Sequence, residues 1–401
     1  MIYKHFCRLL LTIALTAASL EASADKRIRL QQVSLDQGLS QAEVTNILQD
    51  NQGFLWFGTR QGLNLYDGYR IRLISGPSQL LETQATSKLF QDSANRIWIG
   101  SPPNQTFILD KQSNQLSEIT LPYPDDVEIL GSAAQNFYED DTYIWITTYF
   151  DVFKFHKATE TVEFVFDFKP LTGQRQIIRA LHRFKDYLLI ATSDGLFTLN
   201  IHNNNVKTLN FKGSLPVKEN PPERDDRANI KGINLNQQGH YLLSTVEGLY
   251  QLTQQQLTQL IEQPDNSVEM KTLVAELNVW KVIENNESYW LATNDGLYKL
   301  KKDGDLLHIF RYSDTPFQSA DNNIIEMIKD REGNLWFGSR NDGAFKLTPN
   351  FERYTYYQQG DDQQSISNNR IWSIRQDKSN NLWVGTRNGL NKIDAKSKTV
   401  E

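Results

Sequence analysis

One phrase, written eight times, limits what this chain can become. "FLWFGTRQGLNLYD" at residues 54–67 returns as "RIWIGSPPNQTFILD" (96–110), "YIWITTYFDVFKF" (143–155) and "YLLIATSDGLFTL" (187–199). It continues as "YLLSTVEGLYQL" (241–252), "YWLATNDGLYKL" (289–300), "NLWFGSRNDGAFKL" (334–347) and "NLWVGTRNGLNKID" (381–394). One anchor position recurs through Trp56, Trp98, Trp145, Leu189, Leu242, Trp290, Trp336 and Trp383, at spacings of 42, 47, 44, 53, 48, 46 and 47 residues. Such a period means one supersecondary unit repeated, each copy with too little apolar surface to stand alone.

The units share an internal order. An alternating run such as "VTNILQD" (44–50) reads as a first strand, closed by a polar turn such as Asp50–Gly53. The Trp-bearing run is a second strand. Its closing turn carries Gly62, Gly195, Gly248, Gly296, Gly343 or Gly389 where a positive φ is expected. A third strand ("LNLYD", "LFTLN", "LYQL", "LYKL") and a fourth ("RIRLIS", 70–75) complete the unit. Repeats two and three lack the glycine and carry "SPPNQTF" and "TTYFDVF" instead. The composition suits strands and turns, with 11% aromatics, 8 Trp and 16 Tyr. Four antiparallel strands in each repeat are the signature of a β-propeller blade. Trp56, Trp98, Trp145, Trp290, Trp336 and Trp383 then read as structural plates wedged between blades, because they recur at one position instead of converging on one place. The WD dipeptide of one propeller class and the paired glycines of another are absent.

"NILQDNQGFLWFGTRQGLNLYDG" closely resembles the two-component regulator propeller repeat. The resemblance covers roughly residues 28–394 and is strongest in repeats one, seven and eight. It implies a sensor region lying outside the cytoplasm, attached to a histidine kinase or a related membrane-bound signalling protein. Such sensors often carry two seven-bladed propellers, a β-sandwich, a membrane helix and a cytoplasmic output domain. "IRLQQVSLDQGLSQAEVTNILQD" (28–50) and "FERYTYYQQGDDQQSISNNRIWSIRQD" (351–377) open alike, so the second reads as a restart. The expected fold is therefore all-β: a seven-bladed propeller over residues 25–350, then the first blade of a second propeller over 351–401. The strand "IRLQQVS" is expected to complete the blade that holds Trp336.

The beginning of the chain reads differently. Lys4 and Arg8 precede the apolar run Leu9–Leu20, and "ASA" at 22–24 supplies small residues for cleavage. Residues 1–24 read as a signal peptide, placing the protein in the periplasm. Removal takes away Cys7, the single cysteine, leaving no disulfide chemistry. A net charge of −6 gives no basic face for nucleic acid.

Little in the sequence looks catalytic. His156, His182, His202, His240 and His308 fall in different repeats without metal-ligand spacing. No phosphate loop or nucleophile elbow is present, and no cofactor or metal is expected. A ligand is expected on the face carrying the turns after the second strands. There Arg60, Tyr149, Glu247, Asn294, Arg340 and Arg387 offer the stacking and bidentate hydrogen bonding that a carbohydrate or acidic glycan needs. The reading is a non-enzymatic, periplasmic sensor module for a small molecule or oligosaccharide, working with a downstream output domain and as a possible homodimer. An exported propeller enzyme, a lyase or dehydrogenase acting at the central channel, is the alternative. An adhesion scaffold carries no distinguishing mark.

Overall fold

The computed structural model describes residues 30–74, 80–129, 131–168, 176–211, 229–263, 267–285, 288–311, 322–348, 357–360, 363 and 365–401. The signal peptide expected at 1–24 lies outside them. The chain divides into Ile28–Thr348 and a second unit that takes in Pro349–Glu401.

Within 28–348 the described residues form seven four-stranded antiparallel sheets. Blade 1 runs through Val44–Gln49, Leu55–Thr59, Leu63–Tyr66 and Ile71–Leu73. Blades 2 to 6 repeat this order, with inner strands Lys88–Gln91, Asn136–Glu139, Ile178–Phe184, Ile230–Leu235 and Val279–Asn285. Blade 7 takes three strands from Ile324–Leu347 and its outer strand from the other end of the unit. Leu30–Val33 pairs antiparallel with Ala344–Leu347, Leu30 opposite Leu347 and Val33 opposite Ala344. The last blade is thereby completed by the first strand, which ties the two ends of the unit together and closes the ring. This unit is a seven-bladed β-propeller.

The anchor residues explain why the blades stay together. Trp336 packs with Val44, Ile47 and Phe57 of blade 1. Trp56 packs with Leu89 and Ile99 of blade 2, and Trp98 with Ile144 and Phe153 of blade 3. Trp145 meets Leu188 and Phe197, Leu189 meets Leu243, Leu242 meets Tyr289, and Trp290 meets Met327 and Phe337. Every interface around the ring thus has its own apolar cluster, centred on an anchor from one blade and strands of the next. A buried indole removes roughly 150–250 Å² from water, about 4–6 kcal/mol at about 25 cal/mol per Å².

A second device holds four of the five anchor indoles of the ring in place, Trp290 being the exception. Trp56 Nε1 donates to Asp50 at 2.9 Å, Trp98 to Asp92 at 2.8 Å, Trp145 to Asp140 at 2.8 Å and Trp336 to Asp330 at 2.8 Å. The other oxygen of the same carboxylate accepts backbone N–H groups of the turn, Gln52 and Phe54 in the case of Asp50. One Asp therefore shapes the turn between the first two strands and fixes the Trp rotamer.

In blades 1, 4, 5 and 6 the turn after the second strand follows a Thr-x-x-Gly pattern. Thr59 Oγ1 donates to the Gly62 carbonyl at 2.9 Å and accepts the Gln61 N–H at 3.1 Å. Thr192, Thr245 and Thr293 donate likewise to Gly195, Gly248 and Gly296. The glycine has φ +98° at Gly62 and +83° at Gly343, where a Cβ would lie 2.2 Å from the Val33 carbonyl of the closing strand. Blade 3 does without glycine. Thr148 and Asp151 exchange backbone and side-chain hydrogen bonds at 3.0–3.1 Å, so a buried carboxylate closes the same turn.

Blade 5 carries the longest departure from strands among the described residues. The helix Gln254–Glu262 lies between its third and fourth strands, capped by Thr253, and turns Leu257, Leu260 and Ile261 into the core.

In the second unit, the described residues form one three-stranded sheet, Ile371–Gln376, Leu382–Thr386 and Gly389–Ile393. It repeats the Asp–Trp bond, Trp383 Nε1 to Asp377 at 3.0 Å, and the Thr386–Gly389 turn. Its first strand is exposed along its whole length, with Trp372 70% open to solvent.

Candidate functional site

The turns that follow the second strands each project one or two residues beyond the sheet. Their backbone is clasped to the residue that precedes the inner strand of the same blade. Arg60 N donates to Glu43 O at 3.3 Å, Val246 N to Asn229 O at 3.3 Å and Asn294 N to Asn278 O at 3.3 Å. A further link reaches the inner strand of the next blade where Ile178 N donates to Tyr149 O at 2.7 Å. The turns are thus held as a rigid rim on one face of the ring, which is what a pre-formed binding surface requires.

The expected residues occupy this rim individually. Arg60, exposed, donates through Nε to Glu43 at 2.8 Å, so its charge is already paired. Tyr149 is exposed and Glu247 half-buried, the latter receiving the Glu276 N–H at its carbonyl. Asn294 and Arg340 are exposed. No contact among these five side chains is present in the described residues, so they offer separate points around a rim. Arg387 stands apart. It belongs to the second unit, where its N–H donates to Arg370 O at 3.0 Å.

A denser cluster sits beside Asn294. Asp295 accepts from the Tyr298 hydroxyl at 2.7 Å and from the Arg311 guanidinium, and the His308 ring stands 4.8 Å from that of Tyr298. Burial pushes the Asp295 carboxyl up, but the hydrogen bonds from Tyr298 and Arg311 outweigh it and hold the pKa below its ordinary value. Asp295 is therefore a fixed anion that orients an aromatic hydroxyl and a planar cation. The sequence carried part of this signal, since Asp295 and Tyr298 flank the turn glycine, but Arg311 arrives from beyond the fourth strand.

Among the described residues no group of three His, Cys, Asp or Glu side chains is placed to hold a metal ion. The histidines sit in local contacts instead. His156 Nδ1 accepts the Thr159 N–H at 3.2 Å, and His202 lies 3.3 Å from Asp186. No described helix is long and apolar enough to cross a membrane.

Residues 38–61, 318–341 and 365–388 match the two component regulator propeller family, which places the matches on blade 1, blade 7 and the three-stranded sheet. No curated protein matches the chain. Among solved structures, the extracellular domain of a B. thetaiotaomicron protein assigned as a hybrid two component system superposes with a TM-score of 0.66 at 19% identity, over 93% of this chain and 49% of that one. A second B. thetaiotaomicron extracellular domain, of a protein assigned as a one component system, gives 0.63 at 17% identity, over 94% of this chain and 54% of that one. The chain thus spans about half the length of these two relatives. Virginiamycin B lyase from Staphylococcus aureus gives 0.58 at 14% identity, over 80% of this chain and 99% of the lyase. These likenesses concern the fold. The chain thus carries three repeats that match the two component regulator propeller family.

Proposed function

We propose that this chain is the ligand-sensing propeller of a transmembrane signalling protein, exported to the periplasm and not itself catalytic. The observation that carries the reading is the match of three separate repeats to the two component regulator propeller family, on a fold shared with extracellular domains of such systems. In this reading residues 1–24 are the export signal, and residues 351–401 begin a second propeller. The length of the relatives supports that second part, as does the uncovered apolar strand around Trp372. A β-sandwich, a membrane helix and an output domain of the kinase or cyclase type would follow, with dimerisation relaying the signal.

The ligand surface is the turn rim, and its ligand an oligosaccharide. Arg340 and Asn294 supply exposed hydrogen-bonding groups, and Tyr149 an exposed ring for stacking. Calorimetric titration against a panel of oligosaccharides tests the reading. Arg340→Ala should leave stability within about 0.5 kcal/mol, as exposed substitutions do, and weaken binding by about 1.5–3 kcal/mol if Arg340 donates to the ligand. Full affinity in that variant removes Arg340 from the site. Absence of binding across the panel removes the oligosaccharide.

The alternative, a propeller enzyme, draws on the likeness to virginiamycin B lyase. It predicts turnover of a ligand that the sensor reading predicts is released unchanged, and mass spectrometry of the recovered ligand separates the two.

A further inference from the structure

Side chains from four blades meet at the axis of the ring. Glu326, on the inner strand of blade 7, accepts from Asn46 Nδ2 of blade 1 at 2.7 Å, from its neighbour Met327 N at 2.9 Å and from Lys281 Nζ of blade 6. Lys88 Nζ of blade 2 stands 4.0 Å from the same carboxylate. Blade 2 can reach blade 7 past blade 1 only across the axial channel.

The four residues hold one register position. Asn46, Lys88, Lys281 and Glu326 lie opposite Gly58, Gly100, Ala292 and Gly338 of their second strands. Blades 4 and 5 place Ala180 and Gly232, which carry little or no side chain, at that position. One residue earlier, at the strand irregularity, those two blades carry Arg179 and Lys231. The Lys231 ammonium lies 3.3 Å from the centre of the Trp280 ring.

At these two register positions the inner strands carry the cations Lys88, Arg179, Lys231 and Lys281 and the acid Glu326, and Lys231 Nζ also donates to Asn278 Oδ1 at 2.5 Å. The other acids of the inner strands, Glu139 and Glu284, lie at the opposite strand ends and bind Lys157 and Lys302. Lys281 takes one oxygen of Glu326, and Lys88 is left at the longer distance. Burial pushes the Lys88 pKa down, Glu326 raises it only in part, and Lys281 lowers it further. An ammonium so placed gains from another negative charge, and its side chain remains 31% exposed.

We propose that the axial channel binds an anionic group, the carboxylate or sulfate of a small ligand, between Lys88 and Lys281, with Arg179 and Lys231 across the channel. This proposal does not depend on the sensor reading. The two cations supply charge-assisted hydrogen bonds, and Asn46 with Glu326 holds Lys281 in position.

The test is calorimetric titration of the full chain with sodium sulfate and sodium glucuronate in low-chloride buffer, with glucose as the neutral control. At least one anion should bind and glucose should not. Binding of sulfate alone marks a sulfate-ester site, glucuronate alone a uronic-acid site, and both a general anion site. Lys88→Met should weaken the anion about tenfold or more, whereas Lys88→Arg, which keeps the charge, should stay within about threefold. Glu326→Gln releases Lys281 from its competing carboxylate and should tighten binding, an effect of opposite sign that a purely structural network would not give. Should Lys88→Met fail to fold, Glu326→Gln decides. The proposal is overturned by absence of anion binding, by equal binding of glucose, by undiminished binding in folded Lys88→Met, or by unchanged or weaker binding in Glu326→Gln.

Discussion

Replacing Trp336 probes ring closure where it matters most, because its indole lies at the seam where the closing strand Leu30–Val33 joins blade 7. The side chain is 1% exposed and packs with Val33, Val44 and Phe57, its ring 5.9 Å from Phe57 and 5.7 Å from Tyr66. Truncation to Ala removes that burial and leaves a cavity, a loss of about 3–5 kcal/mol for a large aromatic. It also takes the Nε1 donor from Asp330, a buried carboxylate that then keeps the side-chain amide of Asn334 at 2.9 Å. A buried acceptor deprived of a partner costs about 1–3 kcal/mol. The two losses share atoms and do not simply add, so about 4–6 kcal/mol is expected, against about 5–15 kcal/mol for a whole domain. Trp336→Phe separates them: it keeps most of the apolar plate and loses the donor, for about 1–3 kcal/mol. Urea unfolding followed by circular dichroism reads both variants against the parent chain. A Trp336→Ala variant within about 1 kcal/mol of the parent would refute the wedge, and a Phe variant as unstable as the Ala variant would refute the separate role of the Asp–Trp bond.

Acid should weaken the first blade through Asp50. Burial pushes this carboxyl up, but Lys111 at 2.7 Å and Trp56 bring it below the ordinary 3.8, so its stabilisation is complete above that value and fades as pH falls through the lower folded value. The drop in urea-unfolding free energy from about pH 5 to about pH 3 should be shallower in Asp50→Asn; equal slopes would exclude Asp50 as a contributor. Hydrogen exchange should find Ile371–Gln376, exposed throughout, less protected than Leu335–Ser339, buried throughout; equal protection would contradict an uncovered blade.

What the repeats share could be read from the sequence. A Trp at a fixed period and a glycine after it are local signals, and within the seven-bladed unit the Trp packs at a blade interface in every copy that has it, whereas Trp383 of the second unit is only half-buried. Three elements escaped for physical reasons. The helix at Gln254–Glu262 falls inside an ordinary repeat spacing, and only its apolar face, docked on the interface between blades 4 and 5, distinguishes it from a polar loop. In blade 3 the buried Asp151 replaces the turn glycine, a substitution that hydrogen bonds to Thr148 permit and that no glycine pattern anticipates. The Asp six residues before most of the tryptophans was visible, but its bond to the indole exists only once the turn folds the carboxylate back along the second strand. As for the rim, its turns were located correctly by the glycines, whereas the Asp295–Tyr298–Arg311 cluster needed the fourth strand brought alongside.

The axial cluster was hidden for a deeper reason, which also says where chemistry can reside in such a ring. At the anchor position the seven blades read Trp, Trp, Trp, Leu, Leu, Trp, Trp, because every interface makes the same packing demand. At the axial position opposite the second-strand small residue, they read Asn46, Lys88, Asn136, Ala180, Gly232, Lys281 and Glu326. Nothing in blade-to-blade packing requires these to differ, and a search for repeated phrases discards them as noise. The Asn46–Glu326 bond joins residues 280 positions apart in sequence. Near-symmetric closure thus brings seven independently variable side chains to one place, and their differences make an asymmetric, cation-rich channel inside a nearly symmetric scaffold. Within this ring, departure from the repeat at a fixed register is the better pointer to binding, and agreement with it the better pointer to stability.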